Sequence, residues 1–219
     1  MSALARWLGR AAYVPTWRAM QRYTDARGPE TPDELWCLEH PPVYTLGMNA
    51  DPAHVLAAGD VPVVRIDRGG QVTYHGPGQL VVYPLVDLRR RGLAVRSLVT
   101  ALETALIALA ADHGVAAVAR RDAPGVYVGG RKLASIGLRI RRGASYHGLA
   151  LNVAMDLKPY AGINPCGFEG LEVTDLARLG VALDLEAAAR GLVPHLWRTL
   201  RLPGEPQWRE PGGDSVLAV

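Results

Sequence analysis

GVYVGGRKLASIGLRIRRGASYHGLALNVAM, residues 125–155, decides the fold class. GVYV (125–128) and KLASIGLRI (132–140) flank Gly129-Gly130, and two glycines between short apolar runs predict a tight hairpin turn. SYHGLALNVAM (145–155) reads as a further strand. On its N-terminal side, ELWCLEH (34–40) and VYTLG (43–47) read as strands around the Pro41-Pro42 break. VPVVRID (61–67) and QLVVYPLVDL (79–88) are rich in β-branched residues and also read as strands. Residues 4–10 offer a first strand.

Helices flank this strand-rich middle. Residues 95–112 place Leu98, Leu102, Ala105, Leu106 and Leu109 on one face at helical spacing. PTWRAMQRYTDARG (15–28) reads as a helix capped by Thr16 and stopped by Gly28. VTDLARLG (173–180) and DLEAAARGLVPHLWRTLR (184–201) read as two more. No regular βαβ alternation appears. The expected class is α+β, a mixed or antiparallel sheet with helices against it. Residues 1–201 form one expected domain. The tail 202–219, with three prolines and three glycines, is expected to be irregular or disordered.

The composition narrows the function classes. Of 219 residues, 49% are apolar and 21% charged, as in ordinary soluble globular proteins. A net charge of +3 with no basic block and spaced aromatics argues against nucleic acid. The N-terminal apolar run is broken by Arg6 and Arg10, so no signal peptide is expected. The longest apolar segment carries Glu103 and is too short to cross a bilayer. Cys37 and Cys166 cannot make a disulfide framework, and both are expected reduced in a cytoplasmic protein. Of 24 basic residues only Lys132 and Lys158 are lysines. Lysine, unlike arginine, can give up its proton.

Four stretches can carry chemistry. RGGQVTYHGPGQL (68–80) holds four glycines, which suit either a hairpin corner or close approach of backbone to a ligand. It is neither a phosphate-binding P-loop nor a dinucleotide fingerprint. GGRKLASIG (129–137) brings Lys132 into a strand of small residues, as an edge lysine or a functional one. HGLALNV (147–153) reads as a buried strand. PCGFEG (165–170) leaves Cys166 open between a nucleophile and a small apolar loop residue. His40 and His147 read as structural and Cys37 as core. No His, Cys and carboxylate set has metal-ligand spacing, so no metal is expected.

Taken in order, RGGQVTYHGPGQLVVYPLVDL, GGRKLASIGLRI, HGLALNVAMDL and INPCGFEGLEVTDL resemble the bacterial lipoyl(octanoyl) transferases. The resemblance implies a fold like the catalytic domains of biotin and lipoate protein ligases. It implies an acyltransferase that moves octanoyl from octanoyl-acyl carrier protein to a lysine of a lipoyl domain, without a cofactor. The implied acceptors are the E2 subunits of 2-oxoacid dehydrogenases and the glycine cleavage H protein. Cys166 matches the nucleophile that carries the acyl group as a thioester. Lys132 matches the lysine that lowers its pKa. The substrate-binding stretches match Arg68, Gly69, Gly70, Gln71, Val72, Thr73, Tyr74 and His75, then Ser135, Ile136 and Gly137, then Gly148, Leu149 and Ala150. His75 reads as a substrate-positioning residue.

Backbone N–H groups near Gly76–Gly78 or beside Lys132 are candidates for an oxyanion hole. Arg89, Arg90, Arg91, Arg141 and Arg142 are candidate contacts for acidic partner proteins. The rival readings are an ATP-dependent lipoate or biotin protein ligase, an amidotransferase between lipoyl domains, and an inactive binding module.

Overall fold

Strand β2 (Asp33–Glu39) shows how the sheet is built. Its residues alternate in destination: Leu35 and Cys37 join one apolar cluster, while Trp36 and Leu38 join another on the opposite face. A strand points successive side chains to opposite faces, so a run apolar at every position must be covered on both sides. The computed structural model describes residues 2–209, with Cys166 described by its backbone alone.

The remaining elements, in chain order, are β1 (Ala3–Arg10), α1 (Tyr13–Asp25), β3 (Val43–Leu46), β4 (Val63–Arg65), β5 (Val72–His75) and β6 (Gln79–Leu85). Then come α2 (Leu88–Arg91), α3 (Val95–Asp112), β7 (Val118–Ala119), β8 (Gly125–Val128), β9 (Arg131–Arg141), β10 (Ala144–Asn152), α4 (Leu185–Thr199) and β11 (Trp208–Arg209). The large sheet runs β11-β1-β2-β6-β10-β9-β8-β7 and the small one β4-β3-β5. The large sheet is mixed, because β1 pairs parallel with both β2 and β11 while the β6–β10–β9–β8 ladders are antiparallel. Helices α3 and α4 cover one face, through Leu98, Leu102, Leu106, Leu192 and Leu196. On the other face, Ala19 and Met20 of α1 pack with Trp36 and Tyr83. The expected α+β class with a mixed sheet is what the chain forms.

Several boundaries differ from the expectations. Helix α1 starts at Tyr13 rather than after Thr16, whose hydroxyl instead donates to Ala12 O at 2.8 Å inside the first turn. It ends at Asp25, before Gly28. The glycine-rich stretch 68–80 contains a strand, β5, that pairs with β3. Residues 173–180 do not form a helix beyond the 3₁₀ turn Ala177–Leu179. Their start is extended instead, because Val173 bridges Lys132 in parallel. The tail is not wholly irregular: Trp208 and Arg209 add β11 beside β1. The rest of the tail, 210–219, lies outside the described residues.

Candidate active site

Three rungs of the β9–β10 ladder make the floor of a cavity. Gly148 pairs with Gly137, Leu149 with Ile136, and Ala150 with Ser135. Arg68, Gly70, Gln71, Val72, Thr73 and His75 cover this floor from the small sheet and the loop before it. Tyr13, Val81, Tyr83 and His147 complete the lining of a slot of ≈ 50 Å³. Of the residues matched to substrate binding, all but Gly69 and Tyr74 line the slot. Tyr74 follows the strand alternation and turns away, packing against Tyr44 and Tyr160. Gly69 supports the loop, its N–H donating to Leu138 O at 2.9 Å.

Close packing sets the walls. A Cβ on Gly137 would lie 2.9 Å from Arg68 Cδ, and one on Gly47 would lie 2.1 Å from Gly70 O. Both contacts are shorter than a side chain tolerates, so these glycines are steric requirements. Arg68 is 7% exposed, and its guanidinium donates to Thr45 O, Thr45 Oγ1 and Gly69 O at 2.8–2.9 Å. Its charge thus holds the glycine loop against β3.

The polar groups of the slot are held neutral or paired. His75 donates from Nδ1 to Gln79 Oε1 at 2.8 Å, which leaves Nε2 as an acceptor. Burial, and then the neighbouring His40, push His75 down to about 3. Burial likewise pushes His40 down to about 4, against the hydrogen bond to Ala11 O. His147, read from sequence as structural, lines the slot and donates from Nε2 to Asp67 Oδ1 at 2.9 Å. Burial lowers its pKa despite that carboxylate. Asp67 also accepts from Trp17, Gln21 and Tyr146. Burial favours its neutral form, but the bonds from His147, Tyr146 and Gln21 outweigh this and hold Asp67 well below the usual carboxylate range.

Lys132 enters β9 at the other end of the floor, 2% exposed. Nζ donates to Tyr127 OH at 3.1 Å and to Pro124 O at 3.2 Å. Its backbone is stitched to the segment that follows Cys166: Lys132 N donates to Glu172 O, and Thr174 N donates to Lys132 O, both at 2.9 Å. Cys166 lies in a 3₁₀ turn, Pro165–Gly167, that packs on β5. The turn closes with Gly167 N donating to Asn164 O at 2.9 Å. A Cβ on Gly167 would meet Gln71 Cγ and His54 Nε2, each at 3.3 Å. The other cysteine, Cys37, is core as expected, fully buried and pushed up by that burial.

Two of the backbone groups considered for an oxyanion hole are engaged: the Gly78 N–H donates to Glu39 Oε1 at 2.7 Å and the Lys132 N–H to Glu172 O at 2.9 Å. Among the candidate docking arginines, Arg90 and Arg91 are bound within the chain, to Thr31 O, Pro29 O and Asp33 Oδ2 at 2.7–2.9 Å. Arg141 pairs with Asp25 at 2.9 Å, at the far end of β9 from Lys132. At ~3.3 Å per residue that end is roughly 30 Å away. Tyr13 and Tyr83 were not singled out in the sequence, and His147 was read as structural, because only the packing of α1, β6 and β10 brings them to the slot.

Residues 12–196 match the family described as the lipoyl protein ligase A/B catalytic domain. The octanoyltransferase of Alkalilimnicola ehrlichii is 63% identical over 190 residues, covering 87% of this chain and 88% of that protein. Among solved structures, an archaeal bipartite lipoate protein ligase from Thermoplasma acidophilum superposes with a TM-score of 0.71 at 14% identity, over 99% of this chain and 89% of that one. The biotin protein ligase of Aquifex aeolicus gives 0.56 at 11% identity, over 92% and 70%. The structural likenesses establish the fold, and the sequence identity establishes the activity class. The chain belongs to the lipoyl protein ligase A/B catalytic-domain family and, within it, to the octanoyltransferases, which are acyltransferases of protein lipoylation.

Proposed function

We propose that the chain takes octanoyl from octanoyl-acyl carrier protein onto Cys166 as a thioester and passes it to a lysine of a lipoyl domain. The acceptors are the lipoyl domains of 2-oxoacid dehydrogenase E2 subunits and the glycine cleavage H protein. The observation that carries this reading is the placement of a buried lysine, Lys132, on the strand that floors a narrow slot and is hydrogen-bonded to the chain just beyond Cys166.

Thioester exchange is nearly isoenergetic and thioester-to-amide transfer runs downhill, so no ATP is needed. A covalent intermediate lets two protein substrates use one site in turn. The thiolate is the nucleophile, and a neighbouring ammonium favours it. Lys132 supplies that charge. Once Cys166 is acylated its negative charge is gone, so Lys132 can release its proton and then accept one from the incoming lysine ammonium. Arginine could do only the first half of this work. The slot holds the acyl chain: burying about six methylenes at ~0.8 kcal/mol each contributes roughly 5 kcal/mol before the costs of binding. His75 offers the chain's carbonyl end no proton, and its part is to shape and orient the slot.

The test is intact-protein mass spectrometry after mixing with octanoyl-acyl carrier protein, alongside Cys166→Ser and Lys132→Arg. The expected result is one hydroxylamine-labile octanoyl adduct that Cys166→Ser lacks, with Lys132→Arg impaired in passing the group on. No adduct, with lipoyl-domain octanoylation appearing only on addition of ATP and free octanoate, would replace transfer by ligation.

A further inference from the structure

We propose that Tyr127 is a positioning residue for this transfer, its hydroxyl holding Lys132 Nζ both as the ammonium and as the amine. The proposal rests on the role given to Lys132 above and adds to it a residue that neither the motifs nor the family resemblance singled out.

The pairing of β8 with β9 brings the two side chains together. Tyr127 stands opposite Lys132 and Val126 opposite Ala134, so β9 carries one extra residue, Leu133, between these rungs. Such a bulge re-aims the side chains beside it. Ala134, Ile136, Leu138 and Ile140 all pack into the cluster under α3 and α4, and strict alternation would send Lys132 there too. Leu133 takes that face instead. Val126 also belongs to the cluster, so Tyr127 faces the other way, and directly opposed residues share a face. Gly125 makes room for the lysine along β8: a Cβ there would lie 3.0 Å from Lys132 Cε and 3.3 Å from Nζ. Glu103 of α3 fixes this segment, accepting from Gly125 N at 3.1 Å.

The Tyr127 hydroxyl accepts from Nζ at 3.1 Å and donates to Ala123 O at 2.9 Å, while Pro124 O accepts from Nζ at 3.2 Å. Both of these acceptors are neutral oxygens. They satisfy buried N–H groups and leave the positive charge for the thiolate, which a carboxylate in the same place would cancel. The two differ in one respect. A carbonyl only accepts and so suits the ammonium alone, whereas a hydroxyl also donates. When Cys166 is acylated and Lys132 has released its proton, Tyr127 can turn its own from Ala123 O to the lone pair of the amine. The nitrogen then keeps its place through both half-reactions. The other charged groups around the pair are Arg120, whose Cζ lies 5.1 Å from the Tyr127 ring centroid, its partner Asp122 at 2.6 Å, Glu103 on α3 and Arg131 on β9. Cys166, Glu169 and Glu172 belong to the nucleophile's segment, which is bonded to the Lys132 backbone. Phenylalanine at 127 keeps the ring beside Arg120 and removes only the hydroxyl.

Tyr127→Phe is tested by two readings. Alkylation by iodoacetamide, followed by intact mass from pH 5 to 9.5 with Cys166→Ser as the control, reads the thiolate. Its midpoint is expected to move up by about one pH unit, because the ammonium beside it loses an acceptor. Single-turnover rates, with octanoyl-acyl carrier protein as donor and a lipoyl domain as acceptor, read the two half-reactions. Acylation should be about 10-fold slower at pH 7 and recover toward pH 8.5, while passage to the lipoyl domain stays about 10-fold slower at both. In a Lys132→Met background, Tyr127→Phe should move the alkylation midpoint no further, since it acts through the lysine. An unchanged midpoint, with both rates within about twofold of wild type, would overturn the proposal. An equal shift in the Lys132→Met background would also overturn it, reducing Tyr127 to a fastening of its loop. A wild-type protein that forms no Cys166 adduct would instead remove the covalent reading, and a wild-type midpoint in Lys132→Met would remove the lysine's role; either takes this proposal with it.

Discussion

At Gly137 one missing side chain sets the width of the slot proposed to hold the acyl chain. The absent Cβ leaves room for Arg68 Cδ, and Arg68 in turn holds Thr45 and Gly69. A valine there must displace the arginine or intrude on the slot. Gly137→Val is therefore expected to favour shorter donors. Each methylene excluded should cost octanoyl about fourfold relative to butyryl, which corresponds to ~0.8 kcal/mol. Acylation rates across a C4–C12 donor series measure this, and an unchanged optimum would mean that Gly137 does not bound the chain. The same scale explains what could be read early. Cys166 and Lys132 stood out as rare residue types in glycine-rich settings. His147 did not, because its pairing with Asp67 spans 80 positions of sequence.

Among the elements, β2 is tied to α1 and α2 through Asp33. That carboxylate is fully buried and receives Arg27 Nη2 at 2.9 Å, Arg91 Nε at 2.7 Å and Asp87 N at 2.9 Å. Removing it strands two arginines that are themselves about 10% exposed. Asp33→Ala should destabilise the protein by about 3–5 kcal/mol, and Asp33→Asn by less, as read from urea denaturation midpoints. An alanine variant within 1 kcal/mol of wild type would mean that water replaces the carboxylate. Helix α3 matched its reading at both ends because its periodicity is long and uninterrupted. The 173–180 reading failed because a local helical pattern lost to long-range bonds: Thr174 N donates to Lys132 O, and Asn152 Nδ2 donates to Thr174 O. Strand β5 was hidden by the glycines on either side of it, Gly69-Gly70 and Gly76, and its pairing with β3 supplies the order.

Over the whole molecule, the buried histidines make stability depend on pH in a stated direction. An unfolded histidine titrates near 6.5, whereas His40 is held at about 4 and His75 at about 3, both chiefly by burial. Below pH ~6.5 the unfolded chain binds protons that the folded one refuses, so stability falls as pH drops toward 4 and then 3. Asp67, held low, contributes stability above its unfolded pKa of ~3.9 and loses it only in stronger acid. By pH 5 the two histidines should cost on the order of 2 kcal/mol each, lowering Tm by roughly 10 °C from its pH 7 value. Calorimetry at pH 7, 6 and 5 checks this, and a flat Tm would show that these rings can protonate in place. The sequence by itself determined the fold class, because strand alternation and helical period are local properties of a chain, and its resemblance to the octanoyltransferases gave the activity class that the identity to them establishes. Only the tertiary structure decided that Tyr13, Tyr83 and His147 close the slot and that Arg90 and Arg91 brace the fold. Those facts depend on contacts between segments far apart in the chain, and no local pattern encodes them.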